Sequence, residues 1–441
     1  MSFDLLLLNG KVMTGSNIEP TFMDIGIKDG SISAIGILKN HKSTKTVNCR
    51  NLVILPGVID TQVHFRDPGL THKEDIRYGS KAAVLGGVTA FCEMPNTKPL
   101  TTSESELNKK LKRSEQVSWC DYSFFVGATN KNIGNLHLYE KLSGCAGIKV
   151  FMGSSTGDLL VHDNEMLFKI MDNGSKRVAV HAEDEERLMD RFKVYQKSSN
   201  PKDHPKWRDP KSALIATQRI VNIANSAQRP LHILHISSAL EMKFLKERSS
   251  LITVEVTPQH LTLSSPTCYE TLGEFAQMNP PIRSKHHQNQ LWLGIHNGTV
   301  DVIGSDHAPH TIEEKRKGFP NSPSGMPGVQ TMLPLMLNEV SKRKITLSKL
   351  VSLLSTKPAE IYKMKKRGRI EEGYLASLTV IDLKLKKSLK EDDIQSKCGW
   401  SPFTNKILKG WPVMTIINGD IAMENQKLNK RPSVQKIQFE N

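Results

Sequence analysis

The sequence predicts an α/β protein: a (β/α)8 TIM-like barrel carrying a small composite β domain built from the N- and C-terminal segments. Three observations carry this prediction. Eight short apolar, β-rich runs lie at 58–63, 88–94, 122–128, 146–152, 177–182, 230–236, 252–257 and 300–305. Stretches with helical spacing separate most of them, notably at 76–85, 103–115, 164–171 and 210–226. Strand-like segments then recur at both ends of the chain, outside that alternation. Near-continuous apolar strands alternating with amphipathic helices indicate a parallel sheet covered on both faces. Eight such units over roughly 250 residues suit a closed barrel. A doubly wound open sheet is the alternative, but no Gly-rich dinucleotide fingerprint follows the first strand.

Taken in order, residues 1–55 read as short strands and tight turns. Runs at 4–9, 25–28 and 31–35 are punctuated by Asn9-Gly10 and Asp29-Gly30, the Asx-Gly pairs of hairpins. Pro56-Gly57 ends that rhythm and the barrel alternation begins. After the eighth run, 312–328 mixes charge, Pro and Gly and is expected to be a long loop. Helical spacing follows at 330–342 and 347–354, and strands return at 378–381 and 414–417 before the turn Asn418-Gly419. The expected division is 1–55 with 370–425 as the small β domain, 56–369 as the barrel, and 426–441 as a polar, mobile tail.

Composition narrows the function classes. With 38% hydrophobic and 24% charged residues, the chain can bury a large core and is too apolar for general disorder. No run approaches the ~20 apolar residues of a membrane span. The one early apolar run, 5–8, follows Asp4 rather than a basic segment, so no secretory signal is expected. The cysteines at Cys49, Cys92, Cys120, Cys145, Cys268 and Cys398 form no close pair. That argues against a zinc ribbon or disulfide scaffold and predicts reduced thiols in a cytoplasm. Sixty Lys plus Arg against 45 Asp plus Glu give a formal net charge of +15, which raises nucleic-acid binding as a possibility. The basic clusters at 341–345, 363–369 and 383–387 lack interleaved aromatics and match no nucleic-acid module, so they predict solvated faces.

In such barrels function sits at the C-terminal ends of the strands. The first strand runs into His64, the fourth contains Lys149, the fifth ends in His181, the sixth in His235 and the eighth in Asp306. Any one of these has an ordinary structural explanation: a hydrogen-bonded histidine, an ion-paired lysine, a helix-capping aspartate. Five at one rim point instead to a metal-dependent site, because imidazole and carboxylate suit zinc and an open position leaves room for an activated water. Arg66, two residues beyond His64, is expected on the same strand face, where its fork can pair with a carboxylate.

The chain resembles the dihydroorotases of the cyclic amidohydrolase superfamily. The matching segments are PGVIDTQVHFRDPG (56–69), EMPNT (93–97), GIKVFMGSSTG (147–157), VHAED (180–184), LHILHISS (231–238), VTPQHL (256–261), MNPPIR (278–283), GSDHAPH (304–310) and CGWSPF (398–403). The resemblance implies that Lys149 is carbamylated by CO2 and bridges two zinc ions, His181 and His235 holding the more buried one, His64 and Asp306 the other. It implies a metal-activated hydroxide with Asp306 as general base and acid, opening and closing the ring between L-dihydroorotate and N-carbamoyl-L-aspartate in pyrimidine biosynthesis. Arg66, Asn96 and His310 would clamp the substrate carboxylate, and Asn279 would contact the pyrimidine ring. Segments 154–157 and 312–328 would close over the ligand. Relatives commonly form homodimers, and some associate with aspartate carbamoyltransferase.

One departure bears on chemistry. The family's first strand carries two histidines separated by one residue, and here the first of that pair is Gln62. An amide oxygen is a poorer zinc ligand than imidazole, so the second metal is expected to be labile or absent in an otherwise active enzyme. Gln259 and the 373–378 segment also depart from the pattern, but touch no expected ligand. The alternatives are a catalytically impaired scaffold for aspartate carbamoyltransferase, which wholesale ligand loss would mark, and a hydantoinase or allantoinase. Arg66 with Asn96 favours a carboxylated ring over the latter two.

Overall fold

The computed structural model describes residues 2–153 and 157–440. Its centre is an eight-stranded parallel sheet in sequential order: β1 Val58–Val63, β2 Val88–Glu93, β3 Asp121–Gly127, β4 Cys145–Phe151, β5 Val178–His181, β6 Leu231–Ile233, β7 Ile252–Val256 and β8 Val302–Ile303. Every residue of these strands is buried. That explains why they read as apolar runs without alternation: helices cover one face and the barrel interior fills the other. The sheet curls until its ends meet, through a parallel bridge between Val63 and His307 and a 2.8 Å bond from the His64 amide to the His307 carbonyl.

The helices begin where short polar side chains can accept their first amides. Asp75, Ser103, Asp163, Asp184 and Asp209 cap Ile76–Leu85, Glu104–Val117, Asn164–Asp172, Glu185–Tyr195 and Pro210–Ser226. Ser238 and Glu241 form a reciprocal capping box on Ala239–Leu245.

Both chain ends build the second region. One sheet, in the order 31–36, 24–28, 2–8, 42–48, is entirely N-terminal. The other pairs Val53–Pro56 antiparallel with Leu378–Ser388, which continues into Ile407–Ile417 and Asp420–Glu424. Leu5, Ile25, Leu378 and Ile416 share one apolar cluster, so neither end would have a core without the other.

Two expectations change. The C-terminal segment is polar but docked: the Ile437 amide bonds the Tyr122 carbonyl at 2.8 Å, and Lys365 and Gln438 pair through backbone at 2.9 Å. Ile437 is fully buried and, with Phe439, joins Phe125, Tyr362 and Met364 in a cluster closing the N-terminal end of the barrel. Sparse, spaced apolar residues were masked by polar neighbours. The second change concerns Arg66. β1 ends at Val63, and Arg66 has φ 61°, so it enters the mouth through a left-handed turn rather than by strand alternation. The 312–328 segment holds one short helix, Ile312–Lys315, and is otherwise irregular.

Candidate active site

Gln62, His64, Lys149, His181, His235 and Asp306 all border one cavity of about 460 Å³ at the C-terminal mouth of the barrel. Arg66, Asn96, Asn279 and His310 border it too, as do residues 320–325 of the long loop. Ser154–Thr156, expected to close over the ligand, lie outside the described residues. The fold puts the groups there by short strands and unusual backbone. β6 and β8 stop at Ile233 and Ile303, and His235 and Asp306 follow with φ 38° and 44°. Positive φ in a non-glycine residue is costly and collects at functional sites. At Gly304, two residues before Asp306, a Cβ would lie 2.7 Å from the Glu255 carboxyl, so a larger residue would displace that buried group.

A hydrogen bond arranges the tautomer of His64, and His181 and His235 face each other. His64 Nδ1 lies 2.6 Å from Asn96 Oδ1, an acceptor, so the proton belongs on Nδ1 and the Nε2 lone pair faces Asp306 Oδ1 at 3.3 Å. His181 Nε2 lies 3.0 Å from Glu183 Oε2, leaving Nδ1 towards His235 Nε2 at 3.0 Å, with the two rings at 78°. An outer hydrogen bond such as that of His64 to Asn96 orients an imidazole for metal ligation. Burial holds His64, His181 and His235 below the ordinary histidine pKa, in the neutral form a metal needs.

Among the described residues, no three His, Cys, Asp or Glu side chains form a metal site by themselves. They form two pairs, His64 with Asp306 and His181 with His235, and Lys149 supplies what is missing. Its Nζ is buried with no hydrogen-bond partner, over the Phe151 ring at 4.3 Å. Burial pushes its pKa down to about 7, against the opposing pull of Asp306 and Glu255. A neutral, nucleophilic amine is the form that adds to CO2, and the resulting carbamate would be an anion lining the same cavity as both pairs. The donor set therefore fits a metal centre once Lys149 is carbamylated.

Gln62 takes a different part from that of the histidine expected at its position from the resemblance. Its Nε2 donates to Asp306 Oδ1 at 2.9 Å, while its Oε1 has no partner. The amide occupies one oxygen of the carboxylate instead of adding a ligand.

On the opposite wall, Arg66 Nε donates to the Pro309 carbonyl at 3.3 Å, and its Nη2 lies 3.3 Å from His310 Nε2. Burial lowers the guanidinium pKa to about 10, which keeps it charged at neutral pH. Trp400 Nε1 donates to the His310 carbonyl at 2.8 Å, which accounts for the CGWSPF segment. His204 Nε2 lies 3.1 Å from Asn279 Oδ1, so the NH2 of Asn279 is the donor it can offer a ring carbonyl.

Several contributors carry no signal by themselves in the sequence. Arg208, fully buried 25 residues from Glu183, bonds it at 2.5 Å. Burial pushes the Glu183 carboxyl up, but Arg208 and His181 together hold it well below the usual range. His307 Nδ1 accepts from the Gly328 amide at 3.0 Å, and its Nε2 is 3.4 Å from Glu74. Beneath the mouth, Thr61 donates to Glu255 at 2.5 Å, and burial pushes Glu255 up to about 8 and Asp60 to about 7. Lys73 also lines the cavity.

Comparison with known proteins places the chain in a family. Residues 53–422 match the amidohydrolase family. The chain is 33% identical over 426 residues to a dihydroorotase of Methanothermobacter thermautotrophicus, covering 96% of this chain and 95% of that protein. It is 35% identical over 416 residues to a dihydroorotase of Pyrococcus furiosus, covering 94% and 92%. Among solved structures it is similar to an L-hydantoinase from Arthrobacter aurescens, with a TM-score of 0.94 and 25% identity over 99% of this chain and 100% of that one.

Proposed function

The chain belongs to the dihydroorotases of the amidohydrolase family, and from that premise we propose that it interconverts L-dihydroorotate and N-carbamoyl-L-aspartate in pyrimidine biosynthesis. The observation that carries this reading is the single cavity in which two ligand pairs and an unpartnered Lys149 face Arg66 and His310. A cyclic amide with a ring carboxylate spans those two walls. Hydantoinases share the fold, but Arg66 with His310 favours a carboxylated ring.

We assign His181, His235, His64, Asp306 and carbamylated Lys149 as the residues that would hold zinc. When bound, the metal supplies a Lewis acid and lowers the pKa of water from 15.7 to about 7. The chain's own residues do the remainder. Arg66, Asn96 and His310 fix the carboxylate, and Asn279 hydrogen-bonds the ring. Asp306 keeps one oxygen on the Gln62 amide, at 2.9 Å, and with the other takes a proton from water and returns it to the ring nitrogen as the amide bond breaks. Closure of the ring uses the same steps in reverse.

Purified protein supplied with zinc and bicarbonate is expected to hydrolyse L-dihydroorotate and to cyclise carbamoyl aspartate. Asp306→Asn should lower kcat by about 10²–10⁴-fold. No turnover in protein whose metal content and Lys149 carbamate have been verified by mass spectrometry would overturn the assignment in favour of a scaffold.

A further inference from the structure

Lys73 follows the first-strand motif and has no part in the chemistry above, yet it reaches the substrate pocket. Its Nζ lies 3.1 Å from His310 Nδ1 and 3.0 Å from Glu314 Oε1. Glu314 Oε2 approaches the same ring nitrogen less closely, at 3.5 Å. An ammonium group can only donate. At 3.1 Å, Nδ1 must therefore accept, and the ring proton sits on Nε2. The ring is neutral, because burial, then the positive charges of Arg66 and Lys73, hold it well below the ordinary histidine pKa.

Around Nε2 the consequence is geometric. The Ser324 carbonyl, at 3.2 Å, can accept its proton, whereas Arg66 Nη2, at 3.3 Å, is itself a donor. With its proton directed at the Ser324 carbonyl, Nε2 has no lone pair to offer Arg66 Nη2, so that guanidinium N–H is left facing the cavity, where a carboxylate can accept it. The other tautomer inverts this. A proton on Nδ1 would point to Glu314, and the bare Nε2 would accept from Arg66, tying up the guanidinium edge that the substrate needs.

We propose that Lys73 is a positioning residue that holds His310 as its Nε2–H tautomer and so keeps the Arg66 guanidinium edge available for the substrate carboxylate. The identity of that carboxylate rests on the dihydroorotase reading, while the tautomer does not. Glu314 has the complementary task of holding Lys73 in place, through the 3.0 Å ion pair.

Nitrogen-15 NMR of histidine-labelled enzyme reads the tautomer, with His310 assigned by the signals lost in His310→Gln. The wild type is expected to carry the proton on Nε2, and Lys73→Met to move it to Nδ1. In the same variant, KM for L-dihydroorotate should rise about tenfold or more with kcat nearly unchanged, the scale of losing one hydrogen bond to a charged group. Binding of orotate, a carboxylated ring, should weaken in parallel, and binding of dihydrouracil, which lacks the carboxylate, should not. Lys73→Arg, still a pure donor, should restore KM. A proton on Nδ1 in the wild type overturns the proposal even if Lys73→Met fails to fold. An unchanged KM, or a loss in kcat alone, overturns it too. Wild-type enzyme inactive on dihydroorotate but with His310 in the Nε2–H form would defeat the activity assignment, and the orotate affinities would then decide the role of Lys73.

Discussion

At the scale of single residues, the most consequential position is Gln62. Its amide donates to Asp306, the carboxylate proposed as metal ligand and proton carrier, so under that proposal the His64–Asp306 side would have one ligand fewer and a competitor for its carboxylate. Zinc measured after gel filtration should fall below two per chain, and Gln62→His should raise it. Full, chelator-resistant double occupancy in the wild type would refute this weakening. His64, Lys149, His181, His235 and Asp306 were legible in the sequence because five separate strands ended in groups able to ligate metal or move protons. Glu183 and Arg208 were not, since their roles exist only once distant segments bring a carboxylate and a guanidinium to 2.5 Å. Lys73 was hidden for the same reason: its partner His310 is 237 residues away.

At the scale of elements, the helix Pro210–Ser226 shows how one side chain joins two levels of structure. Asp209 accepts from the Ser212 amide at 2.9 Å, capping the helix, and from Arg187 Nε at 2.9 Å, tying it to Glu185–Tyr195. Burial pushes its carboxyl up, but the Arg187 and Ser212 bonds outweigh that and hold it at about 2, against an ordinary 3.8. Because the folded-state value is depressed, the stabilisation is complete above about pH 4 and disappears as pH falls through about 2. Asp209→Ala should cost about 1 kcal/mol or more in urea unfolding at neutral pH, and the gap to wild type should narrow in acid. Element order and type were readable because buried parallel strands are apolar throughout and the intervening helices are amphipathic. Their ends were less so: β6 and β8 are cut short to allow left-handed backbone at His235 and Asp306, and period-two reasoning for Arg66 failed for the same cause.

At the scale of the whole molecule, each of the three basic clusters contains residues with local acidic partners, although the net surplus of +15 remains. Lys342 and Lys344 each lie 2.7 Å from Glu339, Lys387 lies 2.9 Å from Asp393, and Arg367 is buried against Asp121 at 2.5 Å. Among the described residues no helix is long and apolar enough to cross a membrane. The docked C-terminal segment closes the barrel end opposite the cavity, which separates stability from activity. Ile437→Ala should cost about 2–5 kcal/mol in denaturant unfolding, as for a buried isoleucine, while kcat and KM of the folded enzyme stay at wild-type values.

The meeting of the first and last barrel strands has a consequence in time as well as in space. His181 and His235 are 54 residues apart and stand at the ends of neighbouring strands, whereas Gln62 and Asp306 are 244 apart and meet only where the sheet closes on itself. Contacts of large sequence separation carry the greater loop-closure cost and tend to form late. The His181–His235 side of the cavity can therefore be assembled by more local folding, and the side bearing Asp306 waits for the chain to complete its circuit.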